Sequence, residues 1–181
     1  AASPKAMAED CPDAIFLNVT ATEDVEAVLF GEAGVAAGAK EGLVIVDNST
    51  ISPVATQEFA RRLAQQGVAL VDAPVSGGDT GAKEGTLSIM AGGEPAAFEK
   101  VRPLLEVLGN SVVHLGPAGS GQACKACNQI AVSLNLLGTC EALALGKKFG
   151  LELDKLIDVL SGGAAGSWQL ANLGPSIARG D

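Results

Sequence analysis

Short apolar runs alternate with stretches of helical period over the first two thirds of the chain. Ala14 to Val19, Leu43 to Asp47, Val68 to Asp72, Thr86 to Ala91 and Ser111 to Leu115 are too short for core helices, and each predicts a strand. Between them the apolar positions recur at helical spacing. Thr22 caps a helix carrying Val25, Val28 and Leu29, with Glu23 and Asp24 in its first turn, where carboxylates suit the dipole. Ser52-Pro53 opens a second helix that runs to about Gln66 and stops at Gly67. Pro95 to Leu108 is a third, with Gly109 behind it. Strand and helix in turn at this spacing predict an α/β fold: a mainly parallel sheet, helices on both faces, and right-handed crossovers.

The pattern changes after Gly121. Gln122 to Phe149 is almost continuously helix-compatible and rich in Ala and Leu, Leu151 to Leu160 is a further helix, and Ser167 to Leu173 a shorter one. This reads as the start of an all-helical domain, joined by a long interdomain helix. The boundary falls in Gly116-Pro117-Ala118-Gly119, giving a sheet domain over residues 1–117 and the helical part over 118–181. The chain opens without Met inside a helix-like stretch, lacks a strand leading into Gly-x-Gly-x-x-Gly, and closes at Arg179-Gly180-Asp181 with the helical part unfinished. The expectation is a piece cut at both ends.

Composition narrows the chemistry. Of 181 residues, 48% are hydrophobic and 18% charged, an ordinary globular balance. The net charge of −9, with no run of Lys or Arg, speaks against a nucleic-acid or anionic-membrane surface. No segment reaches the roughly 18 apolar residues of a membrane span, and no basic n-region precedes an apolar stretch at the start. The cysteines Cys11, Cys124, Cys127 and Cys140 are irregularly spaced, which predicts reduced thiols in a cytoplasmic compartment. The chain has no tyrosine, so a Tyr/Lys pair for hydride chemistry is excluded within it. His114 is the one histidine, which excludes a multi-histidine metal site; at the end of a strand it reads as structural.

In open α/β sheets, ligands bind beyond the carboxyl ends of the strands. Here those ends read Asn18-Val19-Thr20, Asp47-Asn48-Ser49-Thr50 and Asp72-Ala73-Pro74-Val75-Ser76-Gly77-Gly78. Any one of them alone reads first as a turn; three at one edge point to a crevice. Ser76, Gly77 and Gly78 combine a hydroxyl with backbone N–H groups free of Cβ, an arrangement that suits a carboxylate, with a flexible loop as the competing reading. Lys125 stands a short way into the long helix, with Asn128 and Gln129 one turn on. Helix dipole and partial burial both lower a lysine pKa there and ready it for proton transfer, although most lysines at helix starts are solvated. Cys124 and Cys127 form a CxxC without a second ligand pair and too far into the helix for a thioredoxin-like site; small buried cysteines on a packing face are the preferred reading. Trp168 follows a glycine-rich break and is either core or pocket lining.

Asp72-Ala-Pro-Val-Ser-Gly-Gly78, followed by Gly81-Ala82 and Gly85-Thr86-Leu87, resembles the substrate-binding signature of the β-hydroxyacid dehydrogenases. Gly116-x-x-Gly119-x-Gly121-x-x-x-Lys125 resembles their catalytic signature, and Asp47-Asn-Ser-Thr50 matches in place and order. The similarity runs along essentially the whole chain. It implies a partial Rossmann-type, doubly wound dinucleotide-binding domain and an NAD(P)-dependent oxidoreductase. The reaction moves a hydride between nicotinamide and a small 3-hydroxy acid or its semialdehyde, as in 3-hydroxyisobutyrate dehydrogenase, or alternatively reduces tartronate semialdehyde (2-hydroxy-3-oxopropionate). Carried over by position, Lys125 is the general acid/base, and Ser76, Gly77 and Gly78 hold the substrate carboxylate. Val19, Thr20 and Thr50 contact the nicotinamide half of NAD or NADP, with Asp24 flanking it, and Trp168 lines the substrate pocket. The signature has Asn four residues after the lysine; here that residue is Gln129, with Asn128 one place earlier, so either amide serves the substrate.

Two readings of other classes compete with this one. The fold also serves non-catalytic binding or assembly modules, against which the lysine speaks. A CxxC redox or metal protein would lose activity or metal on Cys124→Ser, and no such loss is expected. The long Ala/Leu-rich helix needs cover on several sides, which predicts a homodimer or homotetramer.

Overall fold

The structure, a computed structural model, describes residues 1–10 and 12–181. Its elements are α1 (Pro4–Glu9), β1 (Ala14–Leu17), α2 (Thr22–Phe30), a 3-10 turn (Val35–Ala37), β2 (Val44–Asp47), α3 (Pro53–Ala64), β3 (Ala69–Asp72), β4 (Val75–Ser76), α4 (Gly78–Glu84), β5 (Ser88–Ala91), α5 (Pro95–Leu108), β6 (Ser111–His114), α6 (Ser120–Lys148), α7 (Leu153–Ser161) and α8 (Trp168–Arg179). They fall into two compact units, Ala1–Ala126 and Cys127–Asp181.

In the first unit β1, β2 and β3 are parallel in the order β1-β2-β3, with Leu17, Asp47 and Asp72 level at their carboxyl ends. Every residue of β2 is buried, because the strand is covered on both faces. Ile45 points into one core with Ile15, Leu17, Val25, Leu29, Phe59, Leu63 and Leu70. Val44 and Val46 point into the other with Val71, Ile89, Phe98, Val101 and Leu105. Within this chain β1 lies at one end of the three-strand order, and its Phe16 is exposed.

The second half of the sheet is mixed. β5 pairs with β6 in parallel and with β4 antiparallel, and an antiparallel bridge from Asp72 to Gly92 ties this part to β3. β4 and α4 are absent from the sequence reading. They occupy the Val75–Glu84 stretch, whose glycines argue for a loop, and they form because Val75 and Ser76 find partners in Ile89 and Ser88. α2 is capped by Asp24, whose Oδ2 accepts the Ala21 N–H at 3.0 Å, while Thr22 Oγ1 instead accepts the Ser52 N–H at 3.2 Å. His114 stacks on Phe98 at 4.8 Å between ring centroids and its Nε2 lies 2.8 Å from the Gly93 carbonyl oxygen, a structural setting.

In the second unit Leu143, Ile157 and Leu170, from α6, α7 and α8, form a small core. α8 continues past Pro175, where the sequence suggested an end at Leu173. A proline accepts helical φ and removes one hydrogen bond, and Leu170 and Ile177 pack into the core on either side of it. Cys127 is exposed and Cys124 and Cys140 are half-buried, so the CxxC is not the buried pair expected; these three are free thiols, and Cys11 lies outside the described residues. α6 also corrects the expectation that no segment could span a membrane. By length and composition it could, because its Leu, Ile, Val, Ala and Cys residues raise the mean hydropathy although Gly, Ser, Thr and Asn interrupt the apolar run.

Candidate active site at the carboxyl ends of the strands

Asp72, last residue of β3, is buried and faces the start of α6. Its Oδ1 accepts the Gly119 N–H at 2.7 Å and its Oδ2 the Gln122 N–H at 2.9 Å. The carboxylate thus satisfies backbone donors that a helix start leaves unpaired. Burial pushes its carboxyl above the ordinary aspartate range, and the backbone donors pull it back. Glycines make the approach possible. A Cβ on Gly121 would sit on the Met90 carbonyl oxygen and 2.9 Å from Asp72 Oδ2, and one on Gly92 would lie 2.7 Å from Asp72 Oδ1. Gly119 has φ +89°, which side chains resist.

Gln122, one per cent exposed, spends both ends of its amide on a single loop. Its Nε2 donates to the Ser49 carbonyl oxygen at 2.7 Å and its Oε1 accepts the Ile51 N–H at 3.1 Å. Ser49 Oγ in turn accepts the Val19 N–H at 2.9 Å, and Asn48 Nδ2 donates to the Ala73 carbonyl oxygen at 2.7 Å. The carboxyl ends of β1, β2 and β3 and the start of α6 are therefore one hydrogen-bonded assembly. Asp47 belongs to it through Oδ1, which accepts the Ser49 N–H at 2.9 Å. Its Oδ2 has no partner among the described residues, and burial raises its pKa.

Lys125 stands three residues beyond Gln122 on the same face of α6. It is 9% exposed, and its Nζ donates to the Val75 carbonyl oxygen at 2.7 Å. Burial lowers its pKa below the ordinary lysine range. The helix dipole, also expected to act on it, meets the Asp72 carboxylate first. The carbonyl that holds the ammonium immediately precedes Ser76, Gly77 and Gly78. Gly77 (φ +137°) is the N-cap of α4 and Gly78 (φ +64°) its first residue. A Cβ on Gly78 would meet nothing within 4 Å, so this backbone faces open space.

Val19 is half-buried and Thr20 and Thr50 are exposed, all at the carboxyl ends of β1 and β2. Asp24 is exposed and engaged in capping α2. On α6, the Oδ1 of Asn128 is shut from solvent with no donor among the described residues, while Gln129 is exposed. Trp168 opens α8 in the second unit, behind the Ser167 cap, and is 62% exposed. Sequence reasoning missed the roles of Asp72 and Gln122. The available signal was Gln122 sharing a helix face with Lys125 just after Gly-x-Gly. A cavity of about 290 Å³ lies elsewhere, beside β1, lined by Met7, Phe16, Leu17 and Val28. Its apolar walls offer no proton-transfer chemistry.

Residues 1–116 match the family model of the NAD binding domain of 6-phosphogluconate dehydrogenase. Residues 119–181 match that described as NAD-binding of NADP-dependent 3-hydroxyisobutyrate dehydrogenase. The 2-hydroxy-3-oxopropionate reductase of Escherichia coli is 48% identical over 158 residues, 87% of this chain and 54% of that protein. An uncharacterised oxidoreductase of Bacillus subtilis is 43% identical over 169 residues, 93% of this chain and 59% of that protein. The crystal structure of 3-hydroxyisobutyrate dehydrogenase from Salmonella typhimurium superposes with a TM-score of 0.86 at 33% identity, over 99% of this chain and 62% of that one. The chain thus spans less than two thirds of the length of each of these relatives.

Proposed function

The chain belongs to the β-hydroxyacid dehydrogenase family, and from that premise we propose that the full-length protein is an NAD(P)-dependent oxidoreductase with Lys125 as its general acid/base. It interconverts a small 3-hydroxy acid and its semialdehyde. The observation that carries this reading is the buried Lys125 ammonium, held by the carbonyl next to Ser76-Gly77-Gly78.

The donor set at the strand ends suits a nicotinamide and its ribose. Thr20 and Thr50 offer neutral hydroxyls, and the nearby Asp24 carboxylate is occupied by its own cap. When bound, the dinucleotide supplies or accepts the hydride. Ser76, with the Gly77 and Gly78 amides, anchors the substrate carboxylate and so turns its other end toward Lys125. In reduction Lys125 donates a proton to the carbonyl oxygen; in oxidation the neutral amine takes the hydroxyl proton. Its lowered pKa makes that amine available below the range of an exposed lysine. Asn128 and Gln129, one turn beyond Lys125, are both candidates for the substrate hydroxyl. Trp168 joins the substrate set on the resemblance.

The Escherichia coli relative favours a second reading of the same site, reduction of 2-hydroxy-3-oxopropionate. We place the protein in the cytoplasm, as a homodimer or homotetramer, with α6 as a covered helix of a soluble enzyme. The test is turnover of a panel of 3-hydroxy acids and semialdehydes with NAD(H) and NADP(H), by the full-length protein and its Lys125→Ala variant. Loss of general acid/base catalysis lowers kcat by about 10²–10⁴-fold, with dinucleotide affinity preserved. Near-normal kcat in the variant sinks the assignment.

A further inference from the structure

The Gln122 amide is doubly committed, and to the backbone on both sides of one residue. It donates to the carbonyl of Ser49 and accepts the N–H of Ile51, so it brackets Thr50 as a strand rung would and leaves that side chain exposed. The backbone N–H of the same Gln122 is fixed on Asp72 Oδ2. Asp72 leads in three residues to Val75, whose carbonyl holds Lys125. Lys125 is therefore tied into the sheet at Val75 and, through Gln122, to the Thr50 loop. The loop is tied in turn to Val19 through Ser49 Oγ.

We infer that Gln122 is a positioning residue that sets Lys125 against the Thr50 loop, so that the proton-transfer group and the nicotinamide-side edge keep a fixed separation. The roles given to those two edges rest on the proposed function; the bracketing itself does not. An apolar side chain would fill the same buried volume without the cost of desolvating an amide. What the amide adds is direction: two hydrogen bonds to two points of one loop admit a single orientation, and losing either leaves a buried backbone group unpaired. Lysine and loop lie on elements far apart in sequence, and the Gln122 amide bonds the loop to the helix turn that carries the lysine.

The test uses full-length Gln122→Met, which keeps the shape and removes both bonds, and Gln122→Glu, which keeps the acceptor and, when ionised, removes the donor. Lys125 is trace-labelled with acetic anhydride across a pH series, and the midpoint of its labelling is read by mass spectrometry. Amide hydrogen exchange at Ile51 and steady-state kinetics are measured on the same samples. The expected result in Gln122→Met is exchange at Ile51 about tenfold faster or more and a Lys125 midpoint displaced toward the ordinary lysine range. With these, kcat falls about tenfold while KM changes less than about threefold. Gln122→Glu carries the test if the Met variant does not fold. A purely structural role lowers Tm and leaves the midpoint and kcat of folded enzyme at parental values, and that result overturns the inference. If the parent turns over none of the panel, the midpoint alone decides. A displaced midpoint then upholds the positioning of Lys125 while the proposed function falls.

Discussion

A lysine ammonium that is nearly enclosed and held by one carbonyl has exchanged most of its water for a single acceptor. The charged form loses more by this than the neutral amine, which is why burial lowers the pKa. The sign has two consequences. For stability, the unfolded chain binds this proton more tightly than the folded one. Between the lowered pKa and the ordinary lysine range, stability from this residue therefore rises with pH. For activity, the proposed mechanism requires the neutral amine in oxidation, so kcat/KM should climb through the lowered pKa. We expect the limb to be absent in Lys125→Arg, whose guanidinium does not deprotonate, as a pH–rate profile of both proteins will reveal. A limb that survives the substitution belongs to another group. Lys125 and Ser76-Gly77-Gly78 were singled out through the resemblance, since on pattern alone a solvated lysine and a flexible loop competed with those readings. Asp72 and Gln122 were not, because their partners lie some 47 to 73 residues away and are chosen by the fold.

Among the elements, strands buried on two faces and helices with a clean apolar stripe were the easiest to read. β2 and α5 lie almost where the pattern put them, since their termini coincide with Asp47 in one case and with Pro95 and Gly109 in the other. β4 and α4 could not be read, because two paired residues and a seven-residue helix are stabilised by neighbours and carry no period of their own. The glycines of α6 show how much an element's meaning depends on its surroundings. At Gly121 an added Cβ collides with the Met90 carbonyl, so Gly121→Ala should cost about 3 kcal/mol or more or prevent folding. At Gly138 the same Cβ meets nothing within 4 Å, so Gly138→Ala should stabilise by about 0.5–1 kcal/mol through helix propensity. Urea midpoints of the two variants against the parent test the contrast; equal effects would contradict it.

At the scale of the molecule, α6 has 29 residues, and beyond Ala126 most of its apolar side chains are uncovered. Ile130, Leu134 and Leu137 follow one another at helical spacing and are 57 to 64% exposed. A stripe of this kind is stable in water only under cover. The proposed homo-oligomer supplies it, and Leu134→Lys with Leu137→Lys in the full-length protein should reduce the assembly to a smaller species by light scattering. An unchanged mass excludes this stripe from the subunit interface. The mean hydropathy of α6 does not distinguish the two uses of such a helix.

The interlock of Gly92, Gly121 and Asp72 also divides the site for anyone who wishes to redesign it. The Asp72 carboxylate occupies space that a Cβ on Gly92 or Gly121 would need, so neither glycine can be varied without displacing it. Diversity introduced between Gly119 and Gln122 would mostly be lost as unfolded protein. On the proposed function, Asn128, Gln129 and Trp168 lie outside this interlock, and a library aimed at new substrates would start with them.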